Sequence, residues 1–585
     1  MQTALHIESR GSCRERSLST RAPRLVAVVA VLALLGAACS SGGGSGERAR
    51  GAAPSRRAGT SDCAFADKAD GGKIVYGIEA DTGNPWTPAN SQMAISGHMV
   101  AKAVYDTLTL LDENGEAVPN LFSAWTSNPE FTVWTFTVRD GVTFHDGTPL
   151  DGAAVADNLD RLVKSFLTGN AVRDLAEVVA DGQTVTVTLK RPFSQLPKVF
   201  STQLGYVASP KWLAEVDADP AAALRPVGTG PFVYKSYAAG NGNSFVGTCN
   251  PDYWRSGLPR LDEIEFRVLE DIQSRANALI SGEIDAMHTS NADEIAKFRE
   301  RSSEFPMTEV TNVRETVYTL LNNSPTVALV AGGDPVPNPV ADVRVRRALA
   351  FATDNATLIK ARGAGIVPQA NGPFPPGTMG YLEDTGYPEF DLDEAKRLVA
   401  EWEAENGDLK IAYATTSDPF NRVTAELLKE MWENAGVSVS LDTVEQGQFI
   451  FLALGGNFQA FGWRNHGRPD PVLEDLWWSS ETATPAPGIA LNFGRINDPV
   501  IDENLAVIRE SGDLAVRTAA AEAINRRFGE QAYNLWSSWT IWSVVTKPGV
   551  ADITTGFEAP GGTSVLQNGQ GLVGSHFVSQ AHWAA

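Results

Sequence analysis

The sequence predicts an α/β protein built from at least two lobes, and three observations carry that prediction. The chain has 585 residues, 43% hydrophobic and 20% charged, whereas a single core rarely grows beyond ~250–300 residues. In its second half a strand at Leu409–Ala414, a helix at Asn421–Ala435 and a strand at Val437–Val444 follow one another. Strand, crossover helix and strand make a right-handed βαβ unit, so these two strands are expected to lie parallel. In the first half Phe131–Val138 alternates large apolar residues with threonine, the period-2 pattern of a half-buried strand.

From the start of the chain, Arg14, Arg16, Arg21 and Arg24 precede Leu25–Ala38, a run of 14 apolar or small residues. That run is too short to span a bilayer as a helix, which needs ~20 residues, and has the form of a signal peptide, expected at 1–38. It ends in Leu35-Gly36-Ala37-Ala38-Cys39, which resembles a bacterial lipobox with Gly36 where Leu is usual. The resemblance implies that Cys39 carries lipid and holds the protein on the outer face of the cell membrane; the alternative is plain secretion with an incidental Cys39. Residues 39–71 then read as a flexible tether, rich in Ser, Gly, Ala and Arg. Losing residues 1–38, with five Arg and two Glu, takes the net charge from -22 to -25. Such a charge argues against a nucleic-acid partner and against docking on an anionic membrane by charge alone.

Lys73–Ile78 is a strand with Ile74, Tyr76 and Ile78 on one face, running into the polar cluster Glu79–Trp86. Ligands of open α/β sheets sit beyond the carboxyl ends of strands, so Asn84 and Trp86 are candidate contacts; alternatively Trp86 packs on its own lobe. A helix at His98–Tyr105, a strand at Thr107–Leu111 and a turn at Glu113-Asn114-Gly115 follow. After the strand Phe131–Val138, Arg139-Asp140-Gly141 turns the chain into a short strand, Val142–His145. A helix capped by Asp151 carries Val155, Leu159 and Leu162 at one-turn spacings, and the strand Thr184–Leu189 closes this subdomain. The helix Ser274–Ile280 is placed to stop at Gly282. Around Thr311–Leu321 the chain is expected to cross to a second lobe, where Thr316–Asn322 reads as a buried strand. Asp342 opens a helix expected to run to about Ile359. Asp391 and Glu394 form a capping box for a helix with Ala395, Leu398, Val399 and Trp402 on one face, stopped by Gly407. In the helix Asn421–Ala435, Val423, Leu427, Leu428 and Met431 are expected inward. A helix at Phe449–Leu454 leads to the strand Phe458–Trp463, beyond which Arg464–Pro471 should meet the ligand. Leu514–Phe528 is helical, and Leu535–Val545 reads as one buried strand returning to the first lobe.

Several ordered motifs resemble those of the family 5 extracellular solute-binding proteins. They are Pro119–Trp125, Phe131–Leu162, Val227-Gly-Thr-Gly-Pro-Phe232, Asn250–Trp254 with Leu258–Ile264, Asp342–Leu349 before Asp354, and Gly462-Trp463 closing on Asp470-Pro471. The resemblance spans about residues 72–550. It implies a two-lobe, class II periplasmic-binding-protein-like fold with an extra subdomain. The first lobe is expected at 72–312 (subdomain 106–204), the second at 313–535, and a return at 536–585, with hinges near 312 and 535. It also implies a monomeric receptor that closes over a small solute, an oligopeptide or peptide-like compound, and delivers it to the transmembrane subunits of an ABC importer. In peptide-binding members an aspartate after the Gly-Trp step pairs with the ligand amine; here that place is held by His466, between Arg464 and Arg468. Replacing a carboxylate by His and two Arg inverts the local sign, and a planar guanidinium suits a carboxylate, phosphate or hydroxyl-rich ligand. The expected binding set is Asn84, Trp86, Trp463, Arg464, Asn465, His466, Arg468 and Asp470, with Asp470 able to take the amine if the loop is shifted. Cys63 and Cys249 remain as an even pair in an oxidising compartment and are expected to be bridged, as in some dipeptide-binding relatives; two separate thiols are the alternative.

Rival functions are weaker. The chain has no G-x-S-x-G, H-E-x-x-H or P-loop, so no catalytic residues, cofactor or metal site are assigned and an enzyme is not expected. A receptor for a metal chelate, haem or oligosaccharide stays open through His466, and an adhesin through the signal peptide and tether.

Overall fold

The structure is a computed structural model describing Cys63 and residues 70–584, apart from 81–85, 92, 113, 167, 311–314, 331, 417–418, 466–469, 486–487, 555–557, 560–562 and 565–575. The signal peptide, Cys39 and most of the tether lie outside the described residues.

Two sheets organise the fold. The first has seven strands in the order Met307–Val310, Trp542–Thr546, Ala286–Thr289, Lys73–Ile78, Glu263–Val268, Ser244–Cys249 and Phe232–Tyr237. Lys73–Ile78 pairs in parallel with Glu263–Val268 and with Ala286–Thr289. Its residues 74–78 are all buried, as expected of a strand covered on both faces. The helix Ile95–Val104, buried along its whole length, covers this sheet. Cys249 ends the strand Ser244–Cys249 and is disulfide-bonded to Cys63, with 6.4 Å between Cα atoms.

The second sheet has five strands in the order Ser438–Val444, Lys410–Thr416, Ala460–Asn465, Thr316–Leu321 and Asn534–Trp539. The strands Lys410–Thr416 and Ser438–Val444 are parallel, joined by the helix Pro419–Asn434, so the βαβ unit stands as expected. Two passages connect the sheets. One runs from Val310 to Thr316 and the other from Trp539 to Trp542, later than the expected residue 535.

A four-stranded antiparallel sheet forms the subdomain, in the order Phe122–Ser127, Val133–Val138, Thr184–Leu189 and Leu175–Asp181. The helix Gly152–Lys164 packs on it, with Asp151 accepting from the Ala154 N–H at 2.8 Å. The subdomain is tied to the first lobe where His145 N–H donates to Gly228 O and Asn158 Nδ2 donates to Ala208 O, both at 2.9 Å.

Four local expectations need correction. Val142–His145 is no strand; it contributes one isolated bridge, Thr143 to Pro149. The helix opened by Asp342 ends at Ala352, and a second, Asn355–Arg362, begins after Asp354 accepts from the Thr357 N–H. Leu535–Val545 is two strands, one in each sheet, because the chain changes lobes at residues 540–541. Val423 is 53% exposed, since the buried face of its helix runs through Ala425, Leu428 and Trp432 instead.

Candidate functional site

The carboxyl end of the strand Ala460–Asn465 faces the first lobe. The antiparallel register sets Trp463 against Tyr318, Arg464 against Val317 and Asn465 against Thr316. Period-2 alternation sends Trp463 and Arg464 to opposite faces of the sheet. Half-buried Trp463 stacks on Phe449 at 5.4 Å between ring centroids and meets Phe493 edge-on at 5.3 Å. This is a rigid aromatic wall in the second lobe.

Arg464 reaches the other way, across the junction. Its Nε lies 2.9 Å from Glu315 Oε1, its Nη1 donates to Ser290 Oγ at 2.7 Å, and its Nη2 lies 3.6 Å from Glu79 Oε1. Its guanidinium carbon stands 5.3 Å from the centroid of the Trp542 ring. Glu79 and Ser290 follow first-sheet strands, whereas Glu315 precedes the first strand of the second sheet. Fully buried Glu315 also accepts from Trp542 Nε1, and Thr540 N–H donates to its backbone oxygen at 2.9 Å. Both inter-sheet passages therefore converge on Arg464. Burial opposes its charge, but the carboxylates of Glu315 and Glu79 outweigh that and raise its pKa. The expected inversion of sign is corrected at this residue, because Arg464 already faces two carboxylates.

Two further expectations are corrected. Trp86 is 2% exposed and packs edge-on against Tyr237 and Phe245, each at 5.6 Å, inside the first-lobe core. Asp470 is equally buried: Lys198 Nζ lies 2.8 Å away, Arg517 Nη2 donates to both its oxygens, and it accepts from the Val472 N–H at 3.0 Å. Burial alone pushes the Asp470 carboxyl upward, yet the two cations hold it down at about 2. It is a structural counter-ion, not an open partner for an amine. Asn465 ends its strand in backbone pairing with Thr316. Asn84, His466 and Arg468 lie outside the described residues. Among the described residues no group of three or more His, Cys, Asp or Glu side chains is placed to hold a metal ion.

Sequence reasoning missed Glu79, Ser290 and Glu315. The signal for Glu79 was present, since it directly follows the central strand Lys73–Ile78. Ser290 and Glu315 carry no comparable local mark.

Comparison with known proteins settles the family. Residues 116–485 match the model of the bacterial extracellular solute-binding proteins, family 5 (middle region). The chain belongs to this family. The nickel-binding periplasmic protein of Escherichia coli K12 is 26% identical over 496 residues, covering 80% of this chain and 89% of that protein. The glutathione-binding protein GsiB of the same strain is 26% identical over 479 residues, covering 79% and 87%. Among solved structures, the periplasmic binding protein DppA of Helicobacter pylori in complex with the peptide STSA superposes with a TM-score of 0.75 at 20% identity, covering 88% of this chain and 99% of that one. The oligopeptide-binding protein AppA of Bacillus subtilis, in complex with a nonapeptide, gives a TM-score of 0.70 at 19% identity, with 88% and 99% covered. The fold is thus the two-lobe, class II periplasmic-binding-protein fold.

Proposed function

We propose that this family 5 protein captures a small solute between its two lobes, a peptide or peptide-like compound, and delivers it to the permease of an ABC importer. The observation that carries this reading is the junction itself. The aromatic wall at Trp463 and the Arg464 cluster lie at the carboxyl ends of strands from facing sheets, the place where open α/β sheets bind ligands. Closure buries the solute, and the closed form is what a permease can tell from the open one. The described cluster holds groups that recognise and enclose, and the reading assigns the protein no chemistry on its cargo. The peptide-like class is supported by the peptide complexes of the two structural neighbours and by the glutathione-binding relative. Lipid on Cys39 would keep the receptor at the outer face of the membrane.

The test is native mass spectrometry of the protein purified undenatured from its own host. Co-purified masses of short peptides or peptide-like compounds support the reading. A sugar, a haem or a metal chelate overturns the peptide class and leaves the receptor role standing. Conversion of Cys39 to Ala tests the anchor: the expected result is release of the protein from the membrane fraction.

A further inference from the structure

Away from the lobe junction, an open cavity of about 710 Å³ lies in the crease between the subdomain and the first lobe. Its walls include Arg139 and Asp140 of the turn after Val133–Val138, Trp254, Arg255 and Arg260 of one loop, and Gln580. Arg260 stands just before the strand Glu263–Val268, and its backbone oxygen accepts from the Gly71 N–H at 2.8 Å, just before Lys73–Ile78. Those two strands run parallel, so the cavity is at their amino end, whereas Glu79 and the junction lie beyond the carboxyl end. Strands of six residues, rising ~3.3 Å per residue, set the two ends about 20 Å apart.

Two guanidiniums are held side by side at this cavity. That of Arg139 stands 5.0 Å from the centroid of the Trp254 ring, and that of Arg255 stands 4.3 Å from it. One buried asparagine orients both: Arg139 Nε donates to Asn120 O at 2.8 Å, and Arg255 Nη2 donates to Asn120 Oδ1. The cations are neutralised unequally. Arg260 pairs with Asp70 at 2.7 Å and with Asp552 at 3.4 Å, and the buried Asp106 carboxylate acts on Arg255. Arg139 is half-buried, and among the described residues no carboxylate forms an ion pair with it, the exposed Asp140 included. Burial depresses its pKa below the usual guanidinium value, and the like charge of Arg255 depresses it further. Asn120 and Trp254 thus fix two cations against their own repulsion, an arrangement typical of a site built for a ligand of opposite charge.

We propose that this crease is a second binding site, for a phosphate monoester, with Arg139 and Arg255 as its donors. A carboxylate is satisfied by the two parallel N–H bonds of one planar fork, whereas a phosphate monoester offers three terminal oxygens and engages two forks at once. Its charge of about -1.5 to -2 at pH 7 matches the pair. The chain as a whole carries a net charge of -22 and repels anions at long range, so capture depends on these local donors. The monoester is either free in solution or the headgroup of a lipid, since both present the same oxygens. The proposal goes beyond the receptor reading and does not depend on it.

The experiment uses the full mature protein with Cys39→Ala, which carries no lipid of its own. It is titrated calorimetrically with glycerol 3-phosphate, and floated with phosphatidylcholine vesicles that contain or lack phosphatidic acid. The expected result is binding that Arg139→Gln weakens about 10- to 100-fold, the range for losing one charged hydrogen-bond partner. Arg139→Lys keeps the charge without the fork and should fall between the two. Binding of glycerol 3-phosphate alone assigns the site to a soluble monoester, and flotation that requires phosphatidic acid, without it, assigns the site to a lipid. Binding of both means that the site takes the group from either source. The proposal is overturned if the protein with Arg139 intact binds neither probe, a comparison that needs no change in the cavity. It is also overturned if Arg139→Gln, folded by circular dichroism, binds both probes undiminished. In either case the receptor reading stands, because its own test is the solute co-purified between the lobes.

Discussion

The Asp470 carboxylate sits between two cations from different parts of the fold, Lys198 of the subdomain and Arg517 of the second lobe. Lys198 also reaches Glu116, at 2.8 Å. Removing one member of a buried ionic group leaves the others uncompensated, at about 3–5 kcal/mol. Asp470→Asn is therefore expected to lower unfolding stability by roughly that amount in urea titration; a loss below about 1 kcal/mol would place the group in solvent-like surroundings. The sign of the pH dependence follows from the direction of the shift. The native carboxyl is held at about 2, below its ordinary 3.8, so the stabilisation is present above pH 3.8 and is lost as pH falls toward 2. Wild-type stability should drop across that window, with a shallower drop in Asp470→Asn. At the same scale, Arg464→Met leaves Glu315 buried without its cation and should cost about 3–5 kcal/mol, read by the same titration.

Elements were legible in the sequence where the signal is local. The half-buried strand Val133–Val138, the helix capped by Asp151 and the βαβ unit all follow from period and capping alone. What stayed hidden is membership of a particular sheet. Leu535–Val545 reads as one buried strand, yet the backbone leaves the second sheet after Trp539 because the Thr540 N–H pairs with Glu315 O, and only then joins the first sheet. The subdomain shows the same limit. Its chain is inserted in the first lobe, while its exposed edge is ion-paired to the second. Arg173 binds Asp475 and Glu481, and Arg191 binds Glu481 at 2.6 Å. Several of these groups keep a partner on their own side, Arg191 with Asp174 at 2.8 Å and Lys198 with Glu116. Glu481 takes both its ion-pair contacts from the subdomain, and Arg191 and Arg173 hold its carboxyl down at about 2. These contacts should part when the lobes do. Glu481→Gln is expected to raise the radius of gyration of the ligand-free protein in small-angle scattering, and Glu481→Arg to raise it further. Salt at about 1 M, which shortens the Debye length to ~3 Å, should move the wild type the same way. No change in all three cases would mean that the subdomain and the second lobe move as one body.

Across the molecule, the apolar cores divide unevenly. One cluster joins the subdomain to the second lobe, running from Phe136 and Phe200 to Trp478 and Phe528, while the first-lobe sheet has its own around Tyr76, Phe232 and Phe266. The first-lobe core is separate from the clusters of the subdomain and second lobe, which predicts two unfolding steps, since each side can melt while the other holds. The disulfide distinguishes them. Cys249 lies in the first sheet, on the strand paired with Glu263–Val268, and its bond to Cys63 spans a sequence separation of 186. A cross-link stabilises chiefly by restricting the unfolded chain, by about 2–5 kcal/mol for native bridges. That constraint acts only when the first-lobe core unfolds, because Cys63 and Cys249 both precede the passage to the second sheet. Differential scanning calorimetry of the mature protein should show two transitions, and Cys63→Ser/Cys249→Ser should lower the temperature of one and leave the other in place. The transition that moves should be the one reported by hydrogen exchange in Lys73–Ile78 and Glu263–Val268. The transition that stays should be reported by Thr316–Leu321 and Lys410–Thr416. A single transition that shifts as a whole would show instead that the Arg464 cluster couples the lobes strongly enough to make the molecule one cooperative unit.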